Sequence, residues 1–285
     1  MPPQNSHKIS WNKAIVRILV SVLLLSGAAS AATFFFFRFR EGRANDSRYD
    51  IVAVVQSCHQ NEGLKTSLLV ELLQLSVDQP ANLYRFDVND ARQKLFECPI
   101  IQMAEIQKIM PGTLYIEYSY RKPVAYISDY SNTAVDDQGV LIPFKPYYTP
   151  KNIPELIIGF ENNPSHLVWG TELRGAKSYL AFSLLKVFNE HFAIEGCTVR
   201  CIDISKAFET SCGQREIVIS LDERLKPPGR RILRLTVEHY PQQLANYLAL
   251  RPLLNEEFVN EEASSLSNLV VDMRIPKLAY INRVR

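Results

Sequence analysis

From Ile18 to Phe37 the chain runs twenty residues without a charge, ILVSVLLLSGAASAATFFFF. Coiled as an α-helix at about 1.5 Å per residue, this run spans roughly 30 Å, the thickness of a bilayer's hydrocarbon core. No other stretch of the 285 residues is as long and uncharged. The segment is therefore read as a single transmembrane helix from Ile18 to Phe37, which makes the chain membrane-embedded. A cleaved signal peptide is the rival. Lys8, Lys13 and Arg17 would be its basic leader, Ile18 to Leu25 its apolar core, and Ala29-Ser30-Ala31 its cleavage pattern. Against cleavage, the apolar run continues through Thr33 and four phenylalanines before Arg38. Orientation stays open on charge alone, because Arg38, Arg40 and Arg43 on one side balance Lys8, Lys13 and Arg17 on the other.

With 47% hydrophobic and 22% charged residues, the remainder has the make-up of a folded chain rather than a disordered one. A net charge of +2, with no basic stripe interleaved with aromatics, argues against nucleic acid as a partner. Five cysteines are too few for a disulfide-stapled scaffold. Cys58 with Cys98, or Cys201 with Cys212, could pair in an oxidising compartment; half-buried free thiols are the other reading of them and of Cys197.

The polar, proline-containing start reads as a tail (1–17), and the charged, Gly42-containing stretch after Phe37 as a juxtamembrane linker (38–48). Tyr49 to Val55 is strand-like. Leu64, Leu68, Leu69, Leu72 and Leu75 mark one stripe of a helix. Asp87 or Asn89 can cap a second helix with Ala91, Leu95 and Phe96 inward and Pro99 at its end. Strands at Ile100 to Ile109 and Thr113 to Tyr120 turn at Met110-Pro111-Gly112. The order over residues 49–123 is β-α-α-β-β.

Residues 124–285 read as a mostly antiparallel β domain with two helices, so the fold class is α+β. Val124 to Ser128 and Val140 to Pro143 flank a turn at Asp136-Asp137-Gln138-Gly139, and Leu156 to Phe160 is a short strand. Ala176 to Phe192 is an amphipathic helix burying Leu180, Leu184, Phe188 and Phe192. Thr198 to Ile204, Glu216 to Leu221 and Ile232 to His239 are three antiparallel strands. Pro241 opens a helix carrying Leu244, Tyr247 and Leu248, which Pro252 is expected to kink or end. Leu269 to Ile281 is expected as one last strand.

Chemistry-bearing patterns are sparse. Ser183 and Lys186 match the S-x-x-K spacing of penicillin-binding enzymes, but the Ser-x-Asn and Lys-Thr-Gly that complete that site do not follow. Cys197 and Cys201 have no second ligand pair nearby for zinc. The histidines are scattered, Asp136 and Asp137 lack the spacing of a calcium loop, and no Gly-rich phosphate loop occurs. The expectation is a non-catalytic protein without cofactor, metal or small-molecule substrate.

Against that blank background a set of motifs stands out. They are Asn82-Leu83-Tyr84-Arg85-Phe86-Asp87, Ala91-Arg92, Leu95, Pro99, Ala104, Pro111-Gly112-Thr113-Leu114, Arg121-Lys122-Pro123-Val124-Ala125, Val135-Asp136-Asp137-Gln138-Gly139-Val140-Leu141 and Val271-Asp272-Met273-Arg274-Ile275-Pro276. In this order and with these gaps the chain resembles the FtsQ/DivIB family of bacterial cell-division proteins. It departs where Val54-Val55-Gln56 continues without the family's glycine, where Tyr120 replaces an acidic residue, and where Lys277-Leu278 replaces an Asn-Gly turn.

The resemblance implies a type II protein of the inner membrane, N-terminus cytoplasmic and bulk periplasmic, at the division septum. It implies a POTRA domain over 49–123, a β domain over 124–285, and a scaffold role that links early and late division proteins. FtsB- and FtsL-like (DivIC-like) proteins and other divisome components are its implied partners. The last strand, as a sheet edge, is the natural docking element, with Ile275, Pro276, Lys277, Tyr280 and Ile281 as partner-binding candidates. The alternatives are a POTRA-bearing transport or assembly protein, which would carry tandem modules and a barrel, and an anchored wall enzyme using Ser183.

Overall fold

The computed structural model describes residues 11–60, 63–76, 78–149, 152–160, 168–192, 196–211, 213–223, 229–259 and 268–284. It is a mixed α+β chain. One N-terminal apolar helix precedes two sheets, of which the larger is mostly antiparallel.

Helix α1 (Trp11–Ala44) holds the uncharged run. Within Ile15–Ala44 its most apolar 18-residue window has a mean hydropathy of 2.1 and is not buried against the rest of the protein, so the helix is long and apolar enough to cross a membrane. Leu23 (73% exposed) and Phe34 (66%) illustrate an apolar surface on all sides, which water solvates poorly and lipid well. The helix is longer than the expected span at both ends. Residues 11–17 are helical rather than tail, and 38–44 are helical rather than linker. Just past its C-terminal end the Asn82 side-chain amide donates to the carbonyls of Arg43 (3.2 Å) and Asp46 (3.1 Å), adding to the backbone bonds those carbonyls accept from the Asp46 and Tyr49 N–H groups. A short 3₁₀ turn, Ser47–Tyr49, follows.

The chain divides into two compact units. The first comprises the described residues through Leu95 with Ala104–Tyr118; the second comprises Phe96–Met103 and the described residues from Ser119 on. The division falls inside strands β2 (Ile101–Ile109) and β3 (Thr113–Tyr120).

In the first unit β1 (Ala53–Cys58) pairs in parallel with β3, within a three-stranded sheet of order β1-β3-β2. Helix α2 (Thr66–Leu72) buries Leu69, and α3 (Val88–Phe96) buries Ala91 and Leu95. Asp87 caps α3 as expected, accepting from the Asn89 N–H at 2.8 Å. On β3, Leu114, Ile116 and Tyr118 are buried while Thr113, Tyr115 and Glu117 are half-buried, the alternation of a strand with one inner face. Gly112 is required at its turn: a Cβ there would run into the Asp50 carbonyl oxygen.

The second unit is built on a nine-stranded sheet of order β12-β11-β10-β9-β8-β7-β4-β5-β6. Strands β4 (Ala125–Ile127), β5 (Thr133–Val135) and β6 (Leu141–Pro143) form an antiparallel meander at one edge. Strand β7 (Glu155–Ile157) runs parallel to both neighbours. Strands β8 (Cys197–Asp203), β9 (Ile217–Glu223) and β10 (Gly229–Leu235) are antiparallel in succession. The chain then passes through α5 (Tyr240–Val259) and returns as β11 (Asn268–Asp272), parallel to β10.

One face of this sheet carries the core. Ile202, Ile219, Leu221, Leu233 and Val271 pack in one cluster with Leu180, Leu184, Phe188 and Phe192 of the α4 segment and Leu244 and Tyr247 of α5. Helix α4 (Ala176–Val187) gives way at Phe188–Phe192 to a π-turn, which keeps both phenylalanines inward. Pro252, expected to kink or end α5, does not end it: the helix runs on to Val259. Leu254, buried just beyond the proline, holds the last turns against the core despite the missing N–H.

The expected single strand from Leu269 to Ile281 is two strands. β11 stops at Asp272, and β12 (Tyr280–Val284) folds back antiparallel to it. Between them Pro276 and Lys277 form the corner of a β-turn, closed by the Leu278 N–H donating to the Ile275 carbonyl at 3.2 Å. Lys277 sits at φ 64°. Proline followed by a left-handed residue is the pattern of a type II turn, which reverses a strand.

Candidate partner-docking edge

Strand β12 lies at the end of the nine-stranded sheet and, among the described residues, pairs only with β11. Every second N–H and C=O of such a strand points away from its neighbour and can accept another strand.

Its register sorts the side chains. Ile281 is opposite Val271, which is fully buried, so Ile281 points to the core face. Tyr280 is opposite Asp272 and points to the other face. On that outer face Asp272 accepts from Arg274 Nη2 at 2.7 Å, and Arg274 and Arg234 both reach Glu216, at 3.4 Å and 2.8 Å. Burial alone would raise the Asp272 pKa, but the hydrogen bonds from Arg274 and the charges of Arg274 and Arg234 outweigh it and hold it below the ordinary carboxylate value.

On the core face, β12 and the turn before it border a cleft of about 800 Å³ whose far wall is α5. Ile275, Pro276, Lys277, Leu278, Ala279 and Ile281 line one side, with Met273 at the base; His239, Gln242, Asn246, Ala249 and Leu250 line the other. Gln243 builds the cleft. It donates to the Met273 carbonyl at 2.7 Å and to Thr236 Oγ1 at 3.1 Å, and accepts from the Thr236 N–H at 2.9 Å. This buried side chain joins the ends of β10 and β11 to the first turns of α5.

Of the five residues expected to bind a partner, four line this cleft: Ile275, Pro276, Lys277 and Ile281. Tyr280 does not; it is 62% exposed on the outer face. The sequence reading missed the α5 wall. Gln242, Asn246 and Ala249 recur at helical spacing on the side away from Leu244 and Tyr247, a signal that was there to be used. It also missed Leu278, 58% exposed beside them.

Beneath the same helix Glu223 is buried with Tyr247 and two arginines. The Tyr247 hydroxyl donates to one of its oxygens; Arg251 Nε lies 3.3 Å from the other, and Arg231 Nε 4.0 Å from the first. Burial first, and then the Glu223 charge, raise the Tyr247 phenol well above its usual value, so it stays a proton donor.

The remaining sequence candidates are not assembled into a site. The Ser183 hydroxyl donates to the Tyr179 carbonyl at 2.8 Å, and Lys186 faces Glu190 at 3.9 Å on the exposed side of α4. A register shift between Val199 and Cys201 turns Cys197 and Cys201 to opposite faces of the sheet. Among the described residues no three of His, Cys, Asp or Glu group as metal ligands. Asp136 is a turn residue, its carboxylate accepting from the Val140 N–H at 2.7 Å and the Gln138 N–H at 3.0 Å. Cys98 is a buried thiol and Cys201 a half-buried one, with no disulfide at either; Cys212 lies outside the described residues.

No protein-family model matches this chain, and no curated protein matches it.

Proposed function

We propose that this chain is a non-catalytic cell-division scaffold of the FtsQ/DivIB kind. It is anchored in the inner membrane by α1 with its N-terminus cytoplasmic, and it joins early and late division proteins at the septum. The first unit serves as a POTRA domain. Its order β1-α2-α3-β2-β3, and the parallel pairing of β1 with β3, support that reading. The second unit binds FtsB- and FtsL-like (DivIC-like) partners.

The observation that carries the proposal is the open edge of β12 beside the α5 cleft. A partner segment that adds as a strand next to β12 gains backbone hydrogen bonds. Its alternate side chains fall towards Ile281 and the cleft on one face and towards Tyr280 on the other. Two faces read at once give specificity without any catalytic group.

The test is a fluorescent fusion of the full chain combined with depletion in its host. Mid-cell fluorescence and filamentous, undivided cells are expected. Diffuse envelope signal with normal division would overturn the proposal.

A further inference from the structure

A second feature lies within the first unit. The last turns of α1 put Phe36, Phe39, Arg40 and Arg43 along one stripe, at the i, i+3, i+4, i+7 spacing of a single helix face. Lys108 and Met110, from the end of β2 and the turn after it, face that stripe across a cleft of about 380 Å³, with Leu83 and Tyr84 at its back.

Arg43 is fixed there. Its guanidinium lies 5.7 Å from the centre of the Tyr84 ring and donates to the Tyr84 hydroxyl at 2.9 Å. Arg40 and Lys108 are close enough that, after burial, the Arg40 charge is the main influence lowering the Lys108 pKa. Asp87 acts in the other direction at Lys108, but among the described residues no carboxylate forms an ion pair with either cation. Three cations held around one cleft repel one another unless an anion lies among them.

The surroundings say where that anion comes from. Arg40 is three residues past Phe37, so it rises about 4.5 Å beyond the uncharged run, the depth of lipid headgroups. Phe39 is 69% exposed and Met110 51%, giving the cleft an apolar rim. A soluble anion has no use for such a rim; an acyl chain does.

We propose that this cleft holds the phosphate of an anionic phospholipid between Arg40, Arg43 and Lys108, with its acyl chain against Phe36, Phe39 and Met110. The inference rests on α1 spanning the membrane but not on the identity of any protein partner. The bound lipid would seat the first unit against the leaflet at the C-terminal end of α1.

The test uses the full chain in phosphatidylcholine nanodiscs with trace spin-labelled phosphatidylglycerol or spin-labelled phosphatidylcholine, and reads the motionally restricted fraction of each. Retention of the chain in the discs tests the span; lipid preference among retained molecules tests the cleft. Phosphatidylglycerol should be held roughly tenfold more tightly than phosphatidylcholine. Arg40→Gln and Lys108→Gln, both at exposed positions, should each remove most of that preference. Arg38→Gln removes the same charge about 200° around the helix from Arg40 and should leave the preference largely intact. Three results would overturn the proposal: no preference in the native chain, an equal loss with Arg38→Gln, or loss of the preference on adding millimolar inorganic phosphate to the native chain.

Discussion

Arg121 Nη1 lies 2.7 Å from Asp136 Oδ2, and the Asp136 side chain is only 1% exposed. The two belong to separate motifs, Arg121-Lys122-Pro123 and Val135-Asp136-Asp137, and the ion pair locks the strap before β4 to the turn between β5 and β6. The second oxygen of the same carboxylate holds that turn from inside through the Val140 and Gln138 N–H groups. Replacing Asp136 by Ala strands a largely buried guanidinium and two turn donors. Asp136→Ala should therefore cost about 3 kcal/mol in chemical unfolding. A cost below about 1 kcal/mol, the range of an exposed pair, would refute this role.

The split between Tyr280 and Ile281 makes the docking edge testable one face at a time. Both are exposed, so Tyr280→Asp and Ile281→Lys should leave the thermal midpoint nearly unchanged. Each should weaken binding of an FtsB-type segment by roughly tenfold or more. A loss confined to Ile281→Lys would put the partner's anchor in the α5 cleft; a loss confined to Tyr280→Asp would put it on the outer face. Undiminished binding by both would remove β12 from the interface.

Lys277 holds a left-handed backbone at φ 64° in the turn between β11 and β12. An L-residue with a Cβ is strained there by about 1 kcal/mol, which glycine avoids. Lys277→Gly should raise stability by roughly 0.5 kcal/mol once its greater freedom in the unfolded chain is counted. Lys277→Val should lower it. Equal midpoints for the three proteins would contradict the turn.

Asp272 gives the sheet a pH dependence of defined sign. Its folded pKa lies below the ordinary 3.8, so its contribution is fully present above that value and is lost as pH falls through the folded one. The stability difference between native protein and Asp272→Asn should be constant near neutral pH and shrink in acid. A difference that grew as pH fell would reverse the assignment.

Much of this fold is legible in the residues, because local pattern and burial agree. Leu180, Leu184, Phe188 and Phe192 announce the α4 face, Asp87 the cap of α3, and the alternation in Thr113 to Tyr120 the inner face of β3. The failures have physical causes. The Leu269 to Ile281 run looks continuous because Met273, Ile275 and Leu278 are apolar; only Pro276 hints at reversal, and a lysine in a left-handed turn gives no warning. The run past Pro252 is helical because Leu254 is buried by distant residues, which no local rule sees. Likewise the cleft depends on Gln243 reaching Met273 thirty positions away. A buried glutamine reads as a surface residue until the strands it joins are known.

The clasp between Asn82 and the last carbonyls of α1 has one further consequence. A flexible tether would let the first unit swivel freely above the bilayer, whereas this junction transmits rotation. Each residue inserted between Phe37 and Ala44 would turn the first unit about 100° around the helix axis and lift it about 1.5 Å. The azimuth of the first unit about α1 is then set by the number of residues in that helix.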